Sequence, residues 1–295
     1  MFKVESRWGH QDTIKVEWNL GKRCNYDCSY CPSVIHDNTS PHTDLLTLRQ
    51  AVDNLVTLEK PIRLSLTGGE PTTHPEFDKL LNYCKEMGIV WINVTTNGTR
   101  KPKYYCSLNC DHYVYSLHFE YDWERVLYTI IEVHNKSDKT VMTNVMAHHE
   151  QMKECKFVVE KLKENKVPFV IRRIRWTEDD HDKFDDNKYA ENDLQYILNN
   201  IATVQPNCII DENLLYHSND IIKLHLNQYK NWHCSAGLES LMINYDGEVY
   251  RATCRVGGSM GNIYNGTFIK PIDNVVCTRS FCTCASDIPL TKVKV

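Results

Sequence analysis

Short β-type runs alternating with helical periodicities are the feature that most limits what this chain can fold into. Ile14-Lys15-Val16-Glu17-Trp18-Asn19-Leu20 belongs to one strand expected over residues 1–20, with Val16, Trp18 and Leu20 on one face. Further strands are expected at 62–66, 89–96, 113–118, 140–145 and 169–174. Between them, Leu45, Leu48, Val52, Leu55 and Val56 recur at helical spacing behind the cap Thr43-Asp44. Pro75-Glu76 opens a helix carrying Phe77, Leu80, Leu81, Cys84 and Met87, closed by Gly88, and residues 122–134 and 150–165 are also helical. Strand alternating with helix implies a parallel sheet with right-handed crossovers.

The 295 residues suffice for one large domain or a main domain plus a small one. No apolar run approaches the roughly 18 residues of a membrane helix, and the start has no signal-peptide architecture, so a cytoplasmic protein is expected. With 34 basic and 38 acidic residues the net charge is −4, which gives no broad nucleic-acid footprint. The one dense basic cluster, Arg172, Arg173 and Arg175, has the acidic run Glu178-Asp179-Asp180 and Asp182 to pair with. The polar stretch 176–193 reads as a surface excursion, either solvated or covering the barrel mouth.

Thirteen cysteines in a chain of this size without a secretion signal read as metal ligands rather than a disulfide framework. Three fall in Cys24-Asn25-Tyr26-Asp27-Cys28-Ser29-Tyr30-Cys31, a C-x3-C-x2-C loop after the first strand. Three thiolates so spaced can ligate three irons of a [4Fe–4S] cluster and leave the fourth open. Spacing alone also allows zinc or a four-cysteine cluster. Thr67-Gly68-Gly69-Glu70-Pro71 then ends the second strand of the βα series.

The two motifs together resemble the radical S-adenosylmethionine (SAM) superfamily. The resemblance implies an open (β/α)6 partial TIM barrel over about residues 10–200, with SAM chelating the open iron. Reductive cleavage of SAM to a 5′-deoxyadenosyl radical would follow. It makes Cys24, Cys28 and Cys31 cluster ligands and places Tyr30 against the adenine. Gly68 and Gly69 would admit the methionine part of SAM, with Glu70 accepting from its amino group or stabilising the turn. Ser116 and Asn144 match positions that contact SAM, and Asn97 either points at the cofactor or serves the turn. His118, Glu120 and Arg172 are candidates to face the substrate, although strand parity does not separate Arg172 from Arg173.

Past Pro206 the alternation weakens. Cys234 and Cys254 flank two β-type runs around Asp246-Gly247, a hairpin signal, and Cys277, Cys282 and Cys284 follow, then Asp287. This layout resembles the SPASM/Twitch extension, a small β-hairpin iron–sulfur module. Residues 1–205 are thus expected as the barrel and 206–295 as the auxiliary domain. Five cysteines are too few for two four-cysteine clusters, so one auxiliary [4Fe–4S] cluster is expected. Spacing does not settle its four ligands; Cys277 is the one set aside before Cys254. Cys84 and Cys155 read as core residues, while Cys106, Cys110 and Cys208 read as free thiols or go unexplained.

The expected activity is hydrogen-atom abstraction from an unactivated carbon, giving oxidation or rearrangement, so oxidoreductase and isomerase outcomes both stand. A reductant such as flavodoxin or ferredoxin is implied. The substrate is a small molecule or nucleotide, modified-base biosynthesis included, or else a peptide. No peptide-recognition domain fits before residue 10, which counts against a leader-peptide substrate. A non-enzymatic iron–sulfur carrier or sensor would not need Gly68-Gly69-Glu70 beside the triplet.

Overall fold

A computed structural model describes residues 3–6, 12–33, 35–174, 188–200, 205–211 and 214–294. Strand β1 (Lys3–Ser6) precedes β2 (Ile14–Asn19), α1 (Leu45–Val56), β3 (Ile62–Thr67), α2 (Phe77–Glu86), β4 (Trp91–Thr96) and α3 (Pro102–Ser107). Next come β5 (His112–Leu117), α4 (Trp123–Lys136), β6 (Thr140–Ala147), α5 (Met152–Glu164), β7 (Phe169–Arg173) and α6 (Glu191–Asn199). The remainder forms β8 (Cys208–Ile210), β9 (Leu214–Tyr216), α7 (Ser218–Lys223), β10 (His233–Cys234), β11 (Ser240–Ile243) and β12 (Glu248–Tyr250). Strands β13 (Ser259–Asn262), β14 (Val275–Val276) and β15 (Lys292–Val293) end it.

Strands β2 to β7 lie side by side in chain order, each parallel to the next, as the βα rhythm requires. Alternation sets the two faces. Val16, Trp18, Leu64, Leu66, Ile92, Val94, Tyr113, Tyr115 and Val145 are buried in one core with Leu48, Leu55, Leu80, Ile130 and Val158 of the helices. A buried aliphatic side chain of this kind contributes about 1.5–3 kcal/mol. The opposite face is half-buried and polar, with Glu17, Ser65 and Asn93 aligned in register across β2, β3 and β4. Helix α1 starts where expected, because Asp44 accepts from the Thr47 backbone N–H at 2.9 Å.

Several expectations are corrected by partners far away in the chain. The single strand over residues 1–20 is two, since β1 pairs with β8 and β15 in a separate six-stranded antiparallel sheet, β14-β10-β15-β1-β8-β9. The run Leu241-Met242-Ile243 also does more than make a hairpin with β12. Strand β11 lies parallel to β2, Leu241 opposite Val16, and covers what would be an open edge of the parallel sheet. The larger sheet is thereby nine-stranded and open, β13-β12-β11-β2-β3-β4-β5-β6-β7. The Trp18 indole N–H donates to the Tyr264 hydroxyl at 3.2 Å, tying this C-terminal extension to β2 of the parallel sheet. Of the stretch 176–193, residues 176–187 lie outside the described residues, as do Arg175 and the acidic run, and α6 begins at Glu191. Helix α3 had no legible periodicity because it is six residues long. Among the described residues no helix is long and apolar enough to cross a membrane.

Candidate active site

The cysteine loop leaves β2 and sits over the C-terminal ends of the parallel strands. Its base is pinned by backbone bonds, Cys24 N–H to Asp37 O at 2.7 Å and Asp37 N–H to Lys22 O at 2.8 Å. The other anchor is the Gly-Gly-Glu strand end: the Gly69 N–H donates to Gly21 O and the Glu70 N–H to Arg23 O, both at 2.8 Å. A Cβ on Gly68 would lie 2.5 Å from Gly21 O, and one on Gly69 would lie 2.3 Å from Arg23 O. The glycines therefore admit the backbone of the cysteine loop itself.

Glu70 is buried and spends its carboxylate on the neighbouring strand ends. One oxygen accepts from the Thr72 N–H (3.1 Å), the Thr72 hydroxyl (2.6 Å) and the Thr96 hydroxyl (2.8 Å); the other accepts from the Asn97 N–H (2.6 Å). Burial pushes this carboxyl up from its ordinary range against the downward pull of those donors. Asn97 in turn donates its amide to Asn25 Oδ1 at 2.7 Å. The third strand end, through Glu70 and Asn97, is thus fastened to the loop between the first two cysteines.

Strand β5 supplies the other side. His118 Nδ1 lies 2.7 Å from the Tyr30 hydroxyl and 3.5 Å from Cys28 Sγ, and the Tyr30 and His118 rings stack. Burial pushes His118 down to about 4. Glu120 accepts from the Ser29 backbone N–H at 2.9 Å and from the Ser29 hydroxyl, and lies 3.5 Å from His148 Nε2. His118 and Glu120 thus hold the cysteine loop. Ser116 and Asn144 are in register on β5 and β6 and share the polar face of the sheet. Arg172 joins them, donating from Nε to Asn144 Oδ1 (3.1 Å) and from Nη1 to Asn219 Oδ1 on α7 (2.8 Å), which resolves its parity against Arg173.

Three contributors escaped the sequence reading. Tyr121 stacks on Tyr26 with ring centroids 3.7 Å apart, and its hydroxyl accepts from the Asp27 N–H. His36 lies 3.1 Å from Asp27, and His148 tilts against Tyr30. Only their place just beyond strand ends or inside the loop marked them.

The donor set fits an iron–sulfur cluster. Burial raises the thiols of Cys28, to about 12, and Cys31, to about 11; Cys24 and Cys31 further oppose the ionisation of Cys28, and Cys24 that of Cys31. Bound iron would supply the positive charge that such a group of thiolates requires. Among the described residues no His, Cys, Asp or Glu cluster has the spacing of ligands around a single ion. A cubane differs, because each cysteine binds a different iron and the sulfurs stand further apart.

The C-terminal cysteines are drawn from both sheets' margins. Cys234 lies on β10, Cys277 and Cys282 are buried with Cys208 and Ile288, and Cys254 packs beside Cys234 and Leu290. The ionisation of Cys254 is opposed by burial first, to about 11, and also by Asp287, Cys234 and Cys277. Cys284 instead lies 2.9 Å from the Ser286 hydroxyl, which donates to Glu17 of β2 at 3.1 Å. Cys84, Cys110 and Cys155 are core residues, and Cys106 packs against that core.

A parallel sheet carrying a three-cysteine loop over its strand ends, with a Gly-Gly-Glu end beneath, defines a class that comparison with known proteins identifies. Residues 18–162 match the Radical SAM superfamily model, and the chain belongs to that superfamily. It is 34% identical over 88 residues to an S-adenosylmethionine-dependent nucleotide dehydratase of Selenomonas ruminantium, covering 29% of this chain and 30% of that protein. It is 33% identical over 86 residues to an Fe-coproporphyrin III synthase of Methanosarcina barkeri, covering 28% and 21%. The matched stretches thus span less than a third of these relatives. In fold it resembles Streptococcus suis SuiB bound to S-adenosylmethionine, at TM-score 0.57, 16% identity, and 86% and 64% coverage. It also resembles anSMEcpe with bound AdoMet, at TM-score 0.59, 16% identity, and 88% and 80% coverage.

Proposed function

We propose that this chain is a radical SAM enzyme that removes a hydrogen atom from an unactivated carbon of a small molecule or nucleotide. The observation that carries the reading is the fastening of the Cys24–Cys31 loop, by Gly69, Glu70, Asn97, His118 and Glu120, over a polar sheet face. When bound, the cluster and SAM supply a 5′-deoxyadenosyl radical. The chain's own residues orient and shield: Cys24, Cys28 and Cys31 would hold iron, Tyr30 of the same loop packs on His118, and Ser116, Asn144 and Arg172 lie on the polar face of the sheet. Arg172, near the C-terminal end of β7, places a cationic group on that polar face, which suits a phosphorylated or carboxylated substrate. The nucleotide dehydratase of S. ruminantium supports the same direction. The cell compartment is the cytoplasm and the electron donor a flavodoxin or ferredoxin.

The test is deuterium transfer. Reconstituted protein given dithionite, SAM and perdeuterated nucleoside triphosphates should release 5′-deoxyadenosine carrying deuterium. Unlabelled deoxyadenosine with the whole nucleotide set, together with label from a deuterated peptide, would move the substrate class to peptides.

The proposed division stays at residue 205, with 1–205 as the barrel and 206–295 holding an auxiliary [4Fe–4S] cluster, except that β1 crosses to the C-terminal sheet and β11 to β13 extend the larger sheet. Cys277 and Cys282 are buried in one cluster and Cys234 packs with Cys254 in the next, whereas the Cys284 thiol lies 2.9 Å from the Ser286 hydroxyl, which donates to Glu17. On that packing we set Cys284 aside, where spacing alone set aside Cys277. Cys277→Ser should lower iron by up to about four atoms per chain while Cys284→Ser keeps the wild-type content. The reverse pattern in iron analysis would reassign the ligands.

A further inference from the structure

Lys292 is buried, 2% exposed, although lysine is among the residues least often removed from water. Its three ammonium protons are matched by three backbone carbonyls, Asp287 O at 2.7 Å, Ile288 O at 3.0 Å and Leu290 O at 3.1 Å, and it lies 5.2 Å from the Tyr229 ring centroid. Carbonyl dipoles satisfy the donors without neutralising the charge, so the cost of a buried cation remains.

The strand register shows what faces it. Lys292 on β15 is the cross-strand partner of Cys234 on β10, and Val4 of β1 is its partner on the other side. Cross-strand partners project to the same face. Cys234 is likewise opposite Val275, which shares its face with Cys277 two residues on, and Cys208 shares a face with Ile210, the partner of Val4. One face of the antiparallel sheet therefore presents Cys277, Cys234, Lys292 and Cys208 together. The acidic groups that act on the ammonium are Cys234, Cys282, Asp287 and Cys208. Asp287 is itself buried with its Oδ2 unpartnered.

We infer that Lys292 is the fixed counter-cation of the auxiliary cluster, set within the sheet to raise its reduction potential. This rests on the auxiliary-cluster reading above. A four-thiolate [4Fe–4S] cluster carries a net negative charge that grows by one on reduction, so a neighbouring buried cation favours the reduced state. An auxiliary cluster with a raised potential is suited to take an electron from a substrate radical, the direction of an oxidation.

The test uses full-length protein carrying Cys24→Ala, Cys28→Ala and Cys31→Ala, in which reconstituted iron reports the auxiliary site alone. In that background, an EPR-monitored redox titration of Lys292→Met should show a lower midpoint. The expected shift is at least tenfold in the oxidised-to-reduced ratio, about 59 mV for one electron. Lys292→Arg should stay near the parent value. If Lys292→Met loses its iron, retention by Lys292→Arg supports the charge, and equal loss in both variants overturns it. An unchanged midpoint in Lys292→Met at full iron overturns the counter-cation with the cluster reading intact. A triple-alanine parent that binds no iron removes the auxiliary cluster, and this inference with it.

Discussion

Replacing Cys24, Cys28 and Cys31 together by alanine should abolish formation of 5′-deoxyadenosine from SAM and lower reconstituted iron from about eight to about four atoms per chain. The three thiols are the soft ligands of the loop that suit an iron–sulfur cluster, and each would ligate a different atom of the cubane. Loss of one leaves two anchors; loss of all three leaves none. The fold should survive, because Cys24 and Cys31 are half-exposed and the loop is pinned mainly through backbone groups, Cys24 N–H to Asp37 O and Glu70 N–H to Arg23 O. Circular dichroism of the variant should therefore match wild type while the iron-dependent absorbance falls by about half. Deoxyadenosine production persisting at the wild-type rate would assign the chemistry to some other centre.

Gly69→Ala should be nearly as damaging by a purely steric route. Its Cβ would lie 2.3 Å from Arg23 O, 2.4 Å from Lys22 O and 2.6 Å from the Arg23 carbonyl carbon, all backbone atoms that no rotamer change can move. Overpacking of this kind costs about 1–3 kcal/mol, and the loop that must yield is the one bearing the cysteines. The expected result is a lowered Tm together with loss of the iron bound by Cys24, Cys28 and Cys31. Gly21→Ala is the control, since its Cβ would meet nothing within 4 Å. Equal effects of the two substitutions on iron content would show that the close approach at Gly69 is not what seats the loop.

The two motifs were legible for different reasons. Cys24, Cys28 and Cys31 would have to lie near one another to share a cluster, and their spacing is written locally. The glycine pair was equally visible, but its partner was not. The family resemblance points Gly68 and Gly69 toward a cofactor, and the structure adds that a Cβ at either would meet backbone atoms of residues 20–23. His118 and Glu120 were recognised as interior polar residues seeking partners, but those partners, Tyr30 and Ser29, are some 90 positions back in the chain. Alternation cannot specify a contact of that range. Arg172 was ambiguous for a related reason: Arg172 and Arg173 adjoin on one strand, and only the bond to Asn144 shows which one turns to the polar face.

By itself the sequence determined the order of strands and helices, the parallel sheet they imply and the three-cysteine loop that follows its first strand. These depend on periodicities and spacings within a few dozen residues. Tertiary structure alone decided that β11 closes the edge of β2, that β1 joins a C-terminal sheet, and that Lys292 faces Cys234. Those pairings join segments up to about 290 residues apart through backbone hydrogen bonds, which every non-proline residue can make and which therefore leave no signature in side-chain pattern.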